Sequence, residues 1–211
     1  MTLARVRREY RGPVLLESHA PSAPLPLLER WLADALKRGF VEPNAMTLAT
    51  VDARGRPRAR MVLLKQADAR GLTFYTNLES AKARELAAHP HAALVLYWPE
   101  LHRQVRIEGR VARLRAAESD AYFATRPRGA QLGAWASPQS RVVATRAALE
   151  QRMAAARDRF AGADVPRPPH WGGFRLLPRA IEFWQGRPDR MHDRLRYTRG
   201  GGRWRRARLA P

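Results

Sequence analysis

Residues 45–77 read AMTLATV-DARG-RP-RARMVLLK-QA-DARG-LTFYTN, and this stretch decides the fold class. Three runs that read as strands, Ala45–Val51, Arg58–Lys65 and Leu72–Asn77, are separated by two copies of Asp-Ala-Arg-Gly. Asp and Gly in that arrangement are turn chemistry, so the runs are predicted to be successive antiparallel strands. Working outward, Ser80 is placed to cap a short helix through His89, its oxygen accepting from first-turn N–H groups. His91–Trp98 and Arg103–Leu114 read as two more strands around a turn at Pro99. Upstream, Leu27, Leu28, Trp31, Leu32, Ala35 and Leu36 recur at helical spacing before Gly39. Downstream come a helix over Ala116–Thr125, a longer one over about Arg141–Phe160, and closing strands over Phe174–Trp184, Arg190–Arg199 and Arg203–Leu209. Antiparallel strands with short helices between them predict a mainly β protein, an antiparallel barrel with peripheral helices. Residues 1–24 form an arm and 25–211 one domain.

The 211 residues suffice for a hydrophobic core, and 45% are apolar, a globular composition. No apolar run is long enough to cross a bilayer, and the first residues lack a signal-peptide pattern, so a cytoplasmic location without membrane association is expected. The absence of cysteine excludes disulfides, thiolate nucleophiles and Cys-ligated metals. Net charge is +20, yet 36 of the 39 basic residues are Arg and they are spread along the chain. No nucleic-acid-binding signature accompanies them, so the expected anionic partner is a small phosphorylated molecule and not nucleic acid. Dinucleotide and P-loop fingerprints are missing. His89-Pro90-His91 lacks a third ligand nearby, so no metal is expected. Chemistry is therefore expected to belong to an organic cofactor.

Four groups of segments carry that expectation further. They are Arg60-Met61-Val62-Leu63-Leu64-Lys65 with Phe74-Tyr75-Thr76-Asn77-Leu78-x-Ser80-x-Lys82; Arg103-Gln104-Val105 with Gly109; Tyr122-Phe123-x-x-Arg126-Pro127-Arg128 with Gln131-Leu132-Gly133-Ala134-Trp135-Ala136-Ser137-x-Gln139-Ser140; and Trp171-Gly172-Gly173-Phe174 with Ile181-Glu182-Phe183-Trp184-Gln185-Gly186, Arg190-Met191-His192-Asp193-Arg194 and Arg208-Leu209-Ala210-Pro211. In order and spacing they resemble the pyridoxine/pyridoxamine 5′-phosphate oxidase family over nearly the whole chain.

That resemblance implies an FMN-binding split β-barrel, and a homodimer whose two FMN sites draw on both subunits. It implies hydride transfer from C4′ of a phosphorylated B6 vitamer to FMN, with dioxygen as the final acceptor and hydrogen peroxide released. It assigns cofactor contacts to Arg60, Met61, Val62, Leu63, Leu64, Lys65, Tyr75, Thr76, Lys82, Gln104, Gln139, Ser140, Trp184 and Arg194. Substrate contacts fall to Arg7, Tyr10, Lys65, Tyr122, Arg126, Arg190, Met191 and His192, with Arg190 and His192 catalytic.

The residue types suit these roles. Strand alternation puts Met61, Leu63 and Lys65 on one face and Arg60, Val62 and Leu64 on the other, so Arg60 and Lys65 can serve two anions. Tyr122 and Arg126, four apart on a helix and its end, make a phosphate clamp. Arg190, His192 and Arg194 are predicted to share one face of the last hairpin. Two departures stand out: Ala81 where the family commonly has Arg, and Ala130 where it commonly has Ser. Arg84, leaning back toward the helix start, is a candidate to replace the missing cation.

Overall fold

The computed structural model describes residues 1–3, 5–6 and 9–211; Arg7, assigned above to the substrate, lies outside them. Strands β1 (Ala45–Val51) and β2 (Pro57–Leu63) form the first hairpin. Its turn is built as the sequence predicts: Asp52 Oδ1 accepts from the N–H groups of Arg54 (2.9 Å) and Arg56 (3.0 Å), and Gly55 takes φ +77°. The second Asp-Ala-Arg-Gly copy joins β3 (Gln66–Asp68) to β4 (Gly71–Asn77) in the same way.

The strand expected over Arg58–Lys65 is therefore divided. β2 pairs with β1, whereas β3 pairs with β4. The backbone changes partner between them, Leu64 N–H donating to Asn44 O (2.9 Å) and Lys65 N–H to Thr73 O (2.9 Å). That corner helps curl the sheet.

Nine strands form one antiparallel sheet, in the order β2-β1-β5-β6-β7-β4-β3, with β5 (His91–Trp98), β6 (Arg103–Arg113) and β7 (Trp171–Gln185) at its centre. β7 is the fork. Along one edge residues 174–185 pair with β6, with one irregularity; along the other, residues 171–176 pair with β4 and residues 180–185 with β8 (Asp193–Gly200). β9 (Arg203–Leu209) completes the last hairpin. The register shifts at Glu108/Gly109, where Arg179 is the extra, unpaired residue of β7 at the fork, and a Cβ on Gly109 would sit 2.1 Å from Leu177 O. Only glycine fits that approach.

Helix α1 (Leu25–Lys37) follows the predicted apolar stripe and stops at Gly39, φ +72°. Trp31 meets Phe183 and Trp98 edge-on, and Leu28 and Ala35 are fully buried with Met46, Leu48, Leu94, Leu96 and Ile107. Burial of each large side chain contributes roughly 1.5–3 kcal/mol, so this plug is a principal support of the barrel. α2 (Ala81–Ala88) follows β4. A second, smaller core joins α3 (Ala116–Ala124), α4 (Arg128–Ala136) and α5 (Arg146–Arg159) through Phe123, Leu132, Ala156, Phe160 and Trp171. α4 has no counterpart among the predicted helices. α5 starts at Arg146, later than predicted, because Thr145 Oγ1 caps it by accepting from Ala148 N–H (3.1 Å).

Between residues 10 and 24 the arm lies on the last hairpin. Leu15 N–H donates to Asp193 Oδ2 (3.0 Å) and Tyr197 Oη–H to Pro21 O (2.8 Å). Arg208 pairs with Glu17 (2.6 Å) and Asp193 (2.6 Å). The bond to Arg208 holds the Glu17 carboxyl down at about 2. No helix among the described residues is long and apolar enough to cross a membrane.

Candidate active site

A cavity of about 790 Å³ opens between the edge of β2, the end of β4, and helices α2, α3 and α4. Because it lies against an edge strand, consecutive residues Met61, Val62 and Leu63 line it together with Lys65. Leu64 points away into the core.

At one end is Lys82. Its ammonium donates to Thr76 Oγ1 (3.0 Å) and Gln139 Oε1 (3.2 Å), and Thr76 itself donates to Gln139 Oε1 (3.0 Å). No carboxylate pairs with Lys82 among the described residues. Burial, and then the charge of Arg60, lower its pKa. Ser80 stands at the helix N-cap without the predicted side-chain bond; its Oγ lies 3.5 Å from Lys82 Nζ. Arg60 does not line the cavity. It is held behind Lys82 by Glu85 (2.6 Å) and by Thr50. Ser140, at φ +69°, turns the chain just after Gln139.

At the other end is Arg126. Its guanidinium lies over the rings of Trp171 (4.6 Å) and Phe123 (5.3 Å). Nη1 is buried without a hydrogen-bond partner, and burial lowers the group's pKa. Exposed Lys65 lines the same cavity, as does Ala130. Between the two ends Tyr75 stacks on Tyr122 (3.9 Å) and on Trp171 (5.4 Å), the rings nearly parallel. That stack requires Gly173, where a Cβ would come within 2.7 Å of the Tyr75 ring. Buried Lys82 and half-buried Arg126, neither paired with a carboxylate among the described residues, thus stand on one concave wall.

The remaining predicted residues gather elsewhere. Gln104, Trp184 and Arg194 are cross-strand partners on β6, β7 and β8. Arg194 Nε bonds Glu182 (3.0 Å). Tyr10 meets His102 (5.0 Å), His192 (5.3 Å) and Trp184 (5.6 Å) edge-on. His192 Nδ1 accepts from Arg187 N–H (3.1 Å), which leaves Nε2 to carry the proton of the neutral ring. Burial and then Arg190 lower its pKa. The predicted strand over Arg190–Arg199 starts only at Asp193. Asp189 (φ 54°) and Arg190 (φ 62°) form a left-handed turn instead, so Arg190 and exposed Met191 are loop residues and share no strand face with Arg194. None of this second group lines the cavity.

Residues 32–160 match the family described as pyridoxamine 5′-phosphate oxidase, and residues 171–211 match the pyridoxine 5′-phosphate oxidase C-terminal dimerisation region. A pyridoxine/pyridoxamine 5′-phosphate oxidase of Pseudomonas paraeruginosa is 58% identical over 212 residues, covering 100% of this chain and 99% of the relative. The chain belongs to the pyridoxine/pyridoxamine 5′-phosphate oxidase family. A second oxidase of that name, from Thermosynechococcus vestitus, is 58% identical over 99% of both chains. Among solved structures, PhzG of Burkholderia lata in complex with tetrahydrophenazine-1-carboxylic acid superposes with a TM-score of 0.89 at 37% identity, covering 95% of this chain and 99% of that one. A pyridoxamine 5′-phosphate oxidase-related, FMN-binding protein of Nostoc punctiforme shares the fold, with a TM-score of 0.74 at 20% identity over 91% and 100% of the two chains. The split-barrel architecture expected of the oxidase family is thus the architecture found.

Of the two family departures, Ala130 lines the cavity and Ala81 does not; Arg84, the candidate replacement cation, is turned to the Glu79 carbonyl and does not line it either. Trp171 and Gly173 are site-building residues that the sequence reading left unassigned. An aromatic followed by two glycines at a strand start was the available signal.

Proposed function

We propose that this chain oxidises pyridoxine 5′-phosphate or pyridoxamine 5′-phosphate to pyridoxal 5′-phosphate, using FMN, with dioxygen as acceptor and hydrogen peroxide as product. The observation that carries the reading is the cavity itself, with buried Lys82 at one end, half-buried Arg126 at the other, and stacked aromatic rings between. Lys82, backed by Arg60 and oriented by Thr76 and Gln139, suits the FMN phosphate. Arg126, Lys65 and Tyr122 suit the substrate 5′-phosphate, because an Arg with a free N–H recognises phosphate in fork geometry. Bound FMN supplies the hydride acceptor and the reaction with dioxygen.

The second group completes the site from a partner subunit. Gln104, Trp184 and Arg194 contact the cofactor; Arg190, Met191 and His192 contact the substrate ring; and the arm closes over it through Arg7 and Tyr10. A homodimer explains why one chain holds these groups apart, and the match to a dimerisation region over residues 171–211 supports it.

His192 serves as a neutral donor through Nε2. Since its pKa is lowered, the pH must fall below a histidine's ordinary 6.5 before the ring is charged. The acid limb of kcat for pyridoxine 5′-phosphate is therefore expected below that value. Arg190→Ala removes one cause of the shift and is expected to move the limb upward, besides depressing kcat with FMN still bound. Unchanged kinetics in both Arg190→Ala and His192→Ala would remove these residues from the site.

Ala130→Ser returns a hydroxyl donor to the cavity wall and is expected to lower KM for the phosphorylated substrate several-fold, about 0.5–1.5 kcal/mol for one neutral hydrogen bond. A KM that stays put or rises would place residue 130 away from the substrate phosphate. The function as a whole is tested by purification. A yellow dimer that releases FMN on denaturation and evolves peroxide with pyridoxine 5′-phosphate is expected. A colourless monomer, or a flavoprotein inert toward both vitamers, would overturn it.

A further inference from the structure

Apart from the candidate active site, the fork in β7 holds a second concave, strongly basic site. Residues 177–179 of β7 pair with neither β4 nor β8. A cavity of about 520 Å³ opens there, between the β3–β4 turn, the end of β6, the start of α3 and the end of β8. Its wall carries Arg70, Arg113, Arg115, Arg175 and Arg199 around a single carboxylate, Glu118. Glu118 is already shared among Arg175 (3.0 Å), Arg115 (3.5 Å) and Arg70 (3.8 Å), and Asp68 also pairs with Arg70 (2.9 Å). Five guanidiniums thus face two carboxylates, an excess of three positive charges. Arg113 and Arg199 have no ion-pair partner among the described residues, and Arg175 Nε is buried without a hydrogen-bond acceptor.

Arginines scattered over a surface repel one another and disperse into solvent. Here three of them converge on one carboxylate inside a recess, and two more stand beside it uncompensated. Guanidinium forks of this kind match the oxygens of a phosphate group, and a recess of this size suits a small ligand better than a polymer backbone. We propose that the fork is a second anion site, taking the phosphate group of a small phosphorylated molecule, separate from the cavity that holds Lys82 and Arg126. The exposed forks of Arg113 and Arg199 supply the donors, while Glu118 keeps Arg70, Arg115 and Arg175 in place. The inference does not depend on the oxidase reading, since none of its residues lines the first cavity.

The test is calorimetric titration of FMN-loaded protein with inorganic phosphate and with pyrophosphate. Arg126→Met serves as the background in which the first cavity's guanidinium is removed. Binding of one anion per chain is expected to survive in that background. Adding Arg113→Ala and Arg199→Ala is expected to weaken it about ten-fold or more, since each removes a charged donor. Both arginines are exposed and without hydrogen-bonded partners, so the fold is expected to persist, with the FMN content unchanged. In the otherwise unaltered protein, the same double substitution is expected to leave KM for pyridoxine 5′-phosphate unchanged. Absence of any binding in the Arg126→Met background would overturn the proposal, as would equal affinity with and without Arg113 and Arg199. Loss of binding to an oligonucleotide, with small anions never bound, would overturn it in favour of a nucleic-acid surface. Failure of FMN to bind would count against the oxidase reading alone, because the fork can be titrated in FMN-free protein as well.

Discussion

Arg126→Met is expected to raise KM for pyridoxine 5′-phosphate by about ten- to a hundred-fold while leaving FMN bound, the consequence of losing a charged hydrogen bond of roughly 1.5–3 kcal/mol. Methionine keeps an apolar chain against Trp171 and Phe123, so the aromatic packing survives. What disappears is a half-buried guanidinium whose Nη1 has no partner. Such a cation costs the ligand-free fold stability, because water has been removed and no acceptor has replaced it. The same variant is accordingly expected to unfold at an equal or higher temperature than the parent. A purely structural arginine gives the opposite pair of results, an unchanged KM and a lower Tm. Either outcome sinks the assignment of Arg126 to the substrate phosphate.

Much of this architecture was legible because local chemistry and tertiary structure agree. The two Asp-Ala-Arg-Gly turns fold as their side chains dictate, and the apolar stripe of α1 is the face that plugs the barrel. Legibility failed where a local signal was absent or outweighed. α4 contains Gly129 and Gly133, which weaken helix propensity, yet Leu132 and Ala136 bury it against α5. Asp189 and Arg190 adopt positive φ without glycine, so nothing in the local pattern announced that the strand is delayed to Asp193. Lys65 ends an apparent strand that in fact changes partner between Leu64 and Lys65.

The site was legible as a set of residue types and less so as an arrangement. Arg60 and Glu85 are 25 residues apart, and only the fold brings that pair together behind Lys82. Conversely, the ring stack of Tyr75, Tyr122 and Trp171 joins β4, α3 and β7. Tyr75 and Tyr122 were singled out for polar contacts, whereas their stacking against a glycine backbone is what shapes the cavity wall. Periodicity reports which face a residue occupies, not which distant element covers that face.

Lys82→Met is expected to abolish retention of FMN through purification, with the dissociation constant raised by about ten- to a hundred-fold, again the scale of a charged hydrogen bond. Lys82 is the buried cation that Thr76 and Gln139 orient and with which no carboxylate pairs among the described residues. Its lowered pKa fixes the sign of two further effects. In the FMN-free protein, the folded state releases the Lys82 proton before the unfolded chain does. Stability from this group therefore rises with pH through the window from the lowered folded value up to the ordinary 10.5, and is smallest below that window. A phosphate brought against the ammonium raises its pKa again, so FMN binding within that window is expected to take up protons. Calorimetry in buffers of different ionisation enthalpy measures that uptake directly, and Lys82→Met is expected to eliminate it. Arg84→Ala is expected to leave FMN affinity unchanged, since Arg84 is spent on the Glu79 carbonyl. Ala81→Arg is expected to tighten binding by adding a cation at the start of α2, where helix N–H groups already favour an anion. If Lys82→Met still purified with a full complement of FMN, the phosphate would lie elsewhere. The buried ammonium would then be a structural feature of the loop around Gln139 alone.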